Sequence, residues 1–449
     1  MAKLILAMAQ ETGHFNATLA LAKTLRGRGH EVRYLAMPDR AAPLEQQGFE
    51  TIPIMEEYFP RGAPSSGQPA GSRFALSFWT ERRRGIVRAR AAFDALVERE
   101  LDQILTRHQP DLCLVDPLFP AVAVVTERAN VRTLMLSTTL PLARIRGIAP
   151  LCTDIAPTGD WLGHARAASA WTQLLVKQAF LRGLARLGLR FDRELTLLRA
   201  AKRRGFPQSR IQRAAFYASR VELPELILCP REFDFRSPEV DPTRHYVGPV
   251  IDLQRHEPSF PWQRIAPDKP LVYCSLGSAP HQWPHFPRFL SSVLAAARQR
   301  TDWQWVISTG ESAYQDALQR APSEAVVVPY APQLGLLSRA SVMVTHAGLN
   351  SLKEALWHAV PLAALPCMLD QKGNAARIAY HGLGAVEDIS RLDGERLIGC
   401  ISLVLGDSLV RKRLEAMQQC FKQNEDSGAG VTLIEEHLRT PIGSARPRQ

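Results

Sequence analysis

A chain of 449 residues, 46% hydrophobic and 22% charged, is long enough for two or three domains and apolar enough to bury a large core, which excludes wholesale disorder. Its net charge of +11 is lopsided: 35 of the 55 basic residues, but only 25 of the 44 acidic ones, lie in residues 1–250. No run of about 18 apolar residues occurs, which speaks against a membrane-spanning protein. Seven scattered cysteines (113, 152, 229, 274, 367, 400 and 420) form no CxxC or CxxxH cluster. That pattern suits reduced core thiols of a cytoplasmic protein and not structural zinc.

The apolar run 4–9 is too short for a signal segment and reads as a buried first strand. A Gly13-His14 turn follows, then a helix through Leu19, Leu21, Ala22 and Leu25, closed by Gly27 and Gly29, then a strand over 31–35. This is a βαβ unit. Short strands at 112–115 and 133–136 flank a helical segment, so a parallel sheet wrapped by helices is expected.

Residues 177–213 read as a basic amphipathic helix, with ten basic residues within 181–213 against Asp192 and Glu194. Such a helix either lies on an anionic membrane, here the inner face, or is an ordinary solvated helix. Nucleic acid is not expected as a partner, because no aromatic-basic recognition motif accompanies the charge.

The proline-rich stretch 249–269 reads as a linker between a first domain, 1–248, and a second, 270–438, with a polar tail at 439–449. The second domain opens with a strand that runs into a small-residue loop at Gly277-Ser278, and further strands are expected at 303–307, 325–328, 342–345 and 362–365.

Chemistry concentrates late in the chain. Thr345-His346-Ala347-Gly348-Leu349-Asn350-Ser351 stands at a strand end and leads into a helix. A helix N-terminus offers free N–H groups and a positive dipole end, which suits a phosphate. Gly348 permits close backbone approach, and His346, Asn350 and Ser351 add side-chain donors. Glu354 follows one turn after Asn350, placed to accept from ribose hydroxyls. Asp370 and Gln371 end the next strand, at the carboxyl edge where open α/β sheets bind ligands.

Together with Tyr330-Ala331-Pro332-Gln333, this stretch resembles the donor signature of the UDP-glycosyltransferase family, in its bacterial macrolide and zeaxanthin glucosyltransferase-like branch. The step of eight from His346 to Glu354 and of sixteen from Glu354 to Asp370 both fit that signature. The resemblance implies a GT-B fold: two Rossmann-like domains whose parallel sheets face a central cleft. It implies a UDP-sugar co-substrate, UDP-glucose by analogy, and no other cofactor. Gln333 and Glu354 would hold the ribose; His346, Asn350, Ser351 and the Ser278 loop the diphosphate; Asp370 and Gln371 the sugar. Tyr330 stands where plant members carry the tryptophan that stacks on uracil.

His14 lies at the carboxyl end of the first strand, facing the expected cleft, and a histidine near neutral pKa suits removal of an alcohol proton. The resemblance makes it the catalytic base and supplies an aspartate partner about a hundred residues later. Asp116 is preferred to Asp111, which would point to the far edge. A single displacement by the acceptor oxygen, inverting the anomeric carbon, is expected, and because no DxD-like pair accompanies the phosphate site no metal is expected. Phe74, Trp79, Phe119 and Leu142 are candidates to line an apolar acceptor pocket for a lipophilic alcohol of carotenoid, terpenoid, polyketide or flavonoid type. A non-catalytic sugar-nucleotide-binding helper would lack the base, and an epimerase would need acid and base carboxylates in the cleft.

Overall fold

The structure, a computed structural model, describes residues 1–62, 76–237, 241–278, 280 and 283–440, with the backbone alone for 76–79. Phe74, the side chain of Trp79 and all but the first two residues of the polar tail lie outside the described residues.

Two parallel sheets organise the chain. The first sheet uses β1 (Lys3–Ala7), β2 (Glu31–Ala36), β3 (Glu50–Pro53), β4 (Leu112–Val115) and β5 (Arg132–Ser137). A small antiparallel pair, β6 (Ile211–Gln212) and β7 (Arg220–Val221), precedes its last strands, β8 (Glu225–Ile227) and β9 (Arg244–Tyr246). The order is β3-β2-β1-β4-β5-β8-β9. The second sheet comprises β10 (Leu271–Ser275), β11 (Gln304–Ser308), β12 (Val326–Val328), β13 (Val342–Thr345), β14 (Leu362–Ala364) and β15 (Gly384–Val386), in the order β12-β11-β10-β13-β14-β15. Strands such as β4 and β10 are buried at every residue, as strands covered by helices on both faces must be.

In both sheets the strand order reverses beside the first strand. The two switch points fall between β1 and β4 and between β10 and β13. The crevice outside the carboxyl ends of such strands is where doubly wound sheets take ligands. His14 and Asp116 follow β1 and β4; Ser278 and His346 follow β10 and β13. These four groups therefore sit at the switch point of their own sheet, whereas Asp370 follows β14 and Tyr330 follows the edge strand β12.

The lobes share a continuous apolar core. Leu140, Leu142, Leu151, Phe216 and Phe233 of the first lobe pack in one cluster with Leu349, Leu352 and Ile378 of the second. Polar pins cross the same interface. Lys353 is fully buried and donates to the carbonyls of Leu228 at 3.0 Å and Pro249 at 2.7 Å. Arg377 pairs with buried Asp234 at 2.5 Å, and the Gly373 amide donates to Leu151 at 2.9 Å. A Cβ on Gly373 would stand 2.2 Å from that carbonyl oxygen, so glycine is required there.

Two features differ from expectation. Residues 177–213 are not one helix: a helix Trp161–Arg186 ends in a turn, and a second, Arg193–Arg203, begins at Asp192, whose carboxylate caps the Glu194 amide at 2.9 Å. Much of the positive charge is internally matched. Arg182 pairs with Glu194, Arg199 with Asp94, Arg203 with Glu98, Arg204 with Asp102 and Arg210 with Glu127. The last helix, Ala429–Arg439, returns to the first lobe, where Val431 and Ile434 join the core of Leu21 and Leu25.

Candidate active site

His14 occupies a short helix, Thr12–Asn16, and not the open turn expected. Its Nδ1 lies 2.7 Å from Asp116 Oδ2 and 2.7 Å from the Thr138 hydroxyl, which follows β5. Asp116 is itself fixed by the amides of Leu118, at 2.8 Å, and Ala9, at 3.3 Å. Asp111 instead accepts from the Lys3 amide at the opposite strand end. With Nδ1 engaged by Asp116 and Thr138, Nε2 is the ring nitrogen left for a substrate. Burial by itself would lower the His14 pKa, but the charge and hydrogen bond of Asp116 overcome it and hold the ring above its ordinary value. Thr138 was not anticipated. Its place at the end of the strand beside β4 was the available signal.

Across the interface, Asp370 follows β14 and its charge also reaches His14. Asn374 donates to its Oδ2 at 3.0 Å, and the Tyr217 hydroxyl stands 3.5 Å from Oδ1. Burial raises the Asp370 pKa. Tyr217, on the first lobe with φ of 71°, is a second unanticipated neighbour.

The helix Leu349–Trp357 starts at Gly348, and among the described residues no side chain caps its first turn. Its amides are therefore available to an anion. Ala347 just before it has φ of 66°, a conformation that costs a non-glycine residue about 1 kcal/mol or more. His346 lies wedged between Gly277 and Gly348, where a Cβ would come within 2.8 Å and 2.6 Å of its ring, and Trp283 stacks on it at 5.8 Å. Burial pushes its pKa down to about 4, so the ring is neutral at pH 7. Its Nδ1 is buried with no partner among the described residues. A buried polar atom left unpaired costs about 1–3 kcal/mol, which a phosphate oxygen or its water would recover. Ser278 is exposed on the facing loop, and Asn350 and Ser351 lie in the first helical turn. Tyr330 is 47% exposed, its ring open to a base, with Ala331 beside it half-buried.

Two expectations need correction, and a third residue is partly engaged within the protein. Glu354 does not present a free carboxylate: it is 1% exposed, and Arg255, Asn350 and Gln333 saturate its oxygens. Gln371 turns its carbonyl oxygen to the amides of Cys367 and Met368, at 2.9 Å and 3.0 Å, and so shapes the loop before it. Phe119 and Leu142 are 5% and 2% exposed and complete hydrophobic cores, so neither forms an open pocket wall.

Comparison with known proteins bears on this geometry. The family model described as UDP-glucoronosyl and UDP-glucosyl transferase matches residues 194–423, just over half of the chain. Over 437 residues the chain is 26% identical to a zeaxanthin glucosyltransferase of Pseudescherichia vulneris, covering 95% of each. It is 22% identical over 440 residues to the NDP-glycosyltransferase YjiC of Bacillus subtilis (strain 168), again 95% of each. Among solved structures, the glycotransferase of kitacinnamycin superimposes with a TM-score of 0.72 at 22% identity, over 97% of this chain and 99% of that one. The two facing parallel sheets are thus a GT-B fold. The chain belongs to the UDP-glucoronosyl and UDP-glucosyl transferase family, and it is a glycosyltransferase that carries sugar from a nucleotide donor to a small-molecule acceptor.

Proposed function

We propose that the enzyme transfers a hexose, glucose by preference, from a UDP-sugar to a hydroxyl of a lipophilic small molecule, with inversion and without a metal ion. One observation carries the reading: a His-Asp-Thr cluster on one lobe faces, across Asp370, a neutral buried histidine and an uncapped helix N-terminus on the other. In this reading the base and the leaving-group stabiliser act from opposite sides of the reacting carbon.

In this mechanism His14 Nε2 takes the proton of the acceptor hydroxyl, and the Asp116 carboxylate stabilises the imidazolium. The acceptor oxygen bonds to the anomeric carbon as the carbon–oxygen bond to the diphosphate breaks. Negative charge gathers on the leaving UDP, where the helix amides, His346, Asn350 and Ser351 receive it. Asp370 accepts from sugar hydroxyls. The positive helix end supplies what a cation would otherwise supply, which is why no metal is invoked.

The name of the zeaxanthin-glucosylating relative supports a lipophilic acceptor. The test is mass spectrometry of hydroxylated carotenoids, terpenoids, polyketides and flavonoids incubated with UDP-glucose, with and without EDTA. Mass gain of one hexose in both samples is expected. Activity lost to EDTA and restored by magnesium would refute the metal-free step.

Membrane contact belongs to this proposal only in reduced form. Val176, Phe180, Leu187 and Leu189 stand 59–75% exposed, near exposed Lys177 and Arg186. Flotation with anionic vesicles should show weak, salt-sensitive association, and a protein that stays at the bottom of the gradient removes the idea.

A further inference from the structure

Every acceptor position on Glu354 is taken. A carboxylate has about four lone-pair sites. Oε1 receives Arg255 Nη1 at 2.5 Å and Asn350 Nδ2 at 2.8 Å; Oε2 receives Arg255 Nη2 at 2.9 Å and Gln333 Nε2 at 2.7 Å. The pair is deeply buried, with side chains 9% and 1% exposed. A ribose diol that reads this carboxylate must first remove a bidentate arginine.

Arg255 is not loosely placed. Glu257 backs its Nη2 at 3.3 Å while accepting the amides of Leu334 and Gly335, at 2.9 Å and 3.1 Å, at the start of the helix Gln333–Leu337. Beside it Asp252 pairs with Lys23 of the first lobe at 2.5 Å, and His256 exchanges two hydrogen bonds with Gln47. The linker turn is tied to both lobes, and Arg255 is its side chain on the donor helix. Arginine and carboxylate match in a planar fork that a pair of hydroxyls does not equal in charge.

We propose that Arg255 is a specificity-determining residue of the donor site: it stands in for the ribose diol at Glu354, so that the enzyme recognises its donor through base and diphosphate and takes nucleoside diphosphate sugars of ribose and of 2′-deoxyribose alike. The inference rests on the donor-site reading above and deepens it.

The experiment compares UDP with 2′-deoxy-UDP, which differ by one hydroxyl, by calorimetry on the full-length protein. The wild type should bind the two within about twofold. A hydroxyl donating to a free carboxylate makes a charge-assisted bond whose loss costs about tenfold or more. Arg255→Ala, which empties the seat, should therefore favour UDP by about tenfold or more. Arg255→Lys, which cannot reproduce the planar two-pronged fork, should move the same way and keeps a positive charge beside Glu354 if the alanine variant does not fold. A wild type that already prefers UDP tenfold overturns the inference with no variant needed, as does an unchanged ratio in the folded variants. Binding of neither nucleotide would sink the donor-site reading and this inference together, whereas tight binding with a strong ribose preference overturns the inference alone.

Discussion

His14→Ala should lower kcat by about 100- to 10,000-fold while UDP affinity, measured by calorimetry, stays within about twofold of wild type. The split follows from the architecture. His14 follows the first strand of the first sheet, and the groups proposed to face the phosphates belong to the second. Full transfer activity in the variant would end the base assignment. The pH profile gives an independent reading. A base must be unprotonated, and Asp116 holds His14 above its ordinary pKa, so kcat/KM should rise with pH and level off only above pH 6.5. Asp116→Asn should shift that limb to lower pH and reduce the plateau. The same raised pKa makes the His14–Asp116 pair a stabilising contact that is fully present below pH 6.5 and lost as pH climbs through the folded-state pKa. The enzyme is thus expected to be most active where this one contact is weakest.

Arg377→Ala should destabilise the protein by about 3–5 kcal/mol, read as a lower denaturation midpoint. Arg377 holds Asp234 through Nε at 2.8 Å and Nη2 at 2.5 Å, donates to Gly373 at 2.8 Å and stacks over Phe235 at 4.0 Å. Both partners are 5% exposed. Truncation leaves Asp234 charged, buried and served, among the described residues, by Tyr246, its own loop and a distant Arg231. The double variant Arg377→Met with Asp234→Asn should recover much of the loss, because the penalty lies in the unpaired charge and not in the missing attraction. Equal losses in single and double variants would show that the contact acts through packing.

The candidate phosphate site was legible because its residues are local. His346, Gly348, Asn350 and Ser351 are nearly consecutive, and one helix start gathers them. The inner strands were legible as apolar runs, since burial on both faces leaves no other pattern. Strands β3, β8, β9 and β15 were not. β9 carries Arg-His-Tyr and is only half-buried, and β8 contains a buried glutamate whose charge is met by Arg220 at 2.7 Å. Phe119 and Leu142 show a different blindness: an apolar residue that completes a core and one that lines a pocket have the same sequence signature. Arg255 was invisible because its partner lies 99 residues away, and proline-rich linkers are read for their breaks and not for their charges.

The return of the final helix to the first lobe has a practical side. The chain passes between lobes twice, and the two passages run together: a Cβ on Gly248 would stand 3.0 Å from the Asn424 carbonyl, and the Val250 amide reaches Glu425 at 2.7 Å. Chimeras that trade acceptor lobes between relatives therefore need two splice points, one in the linker and one near Gly428. A single cut at the linker would pair a foreign terminal helix with the groove of Leu21 and Val247, which a Cβ on Gly430 would meet at 3.4–3.5 Å.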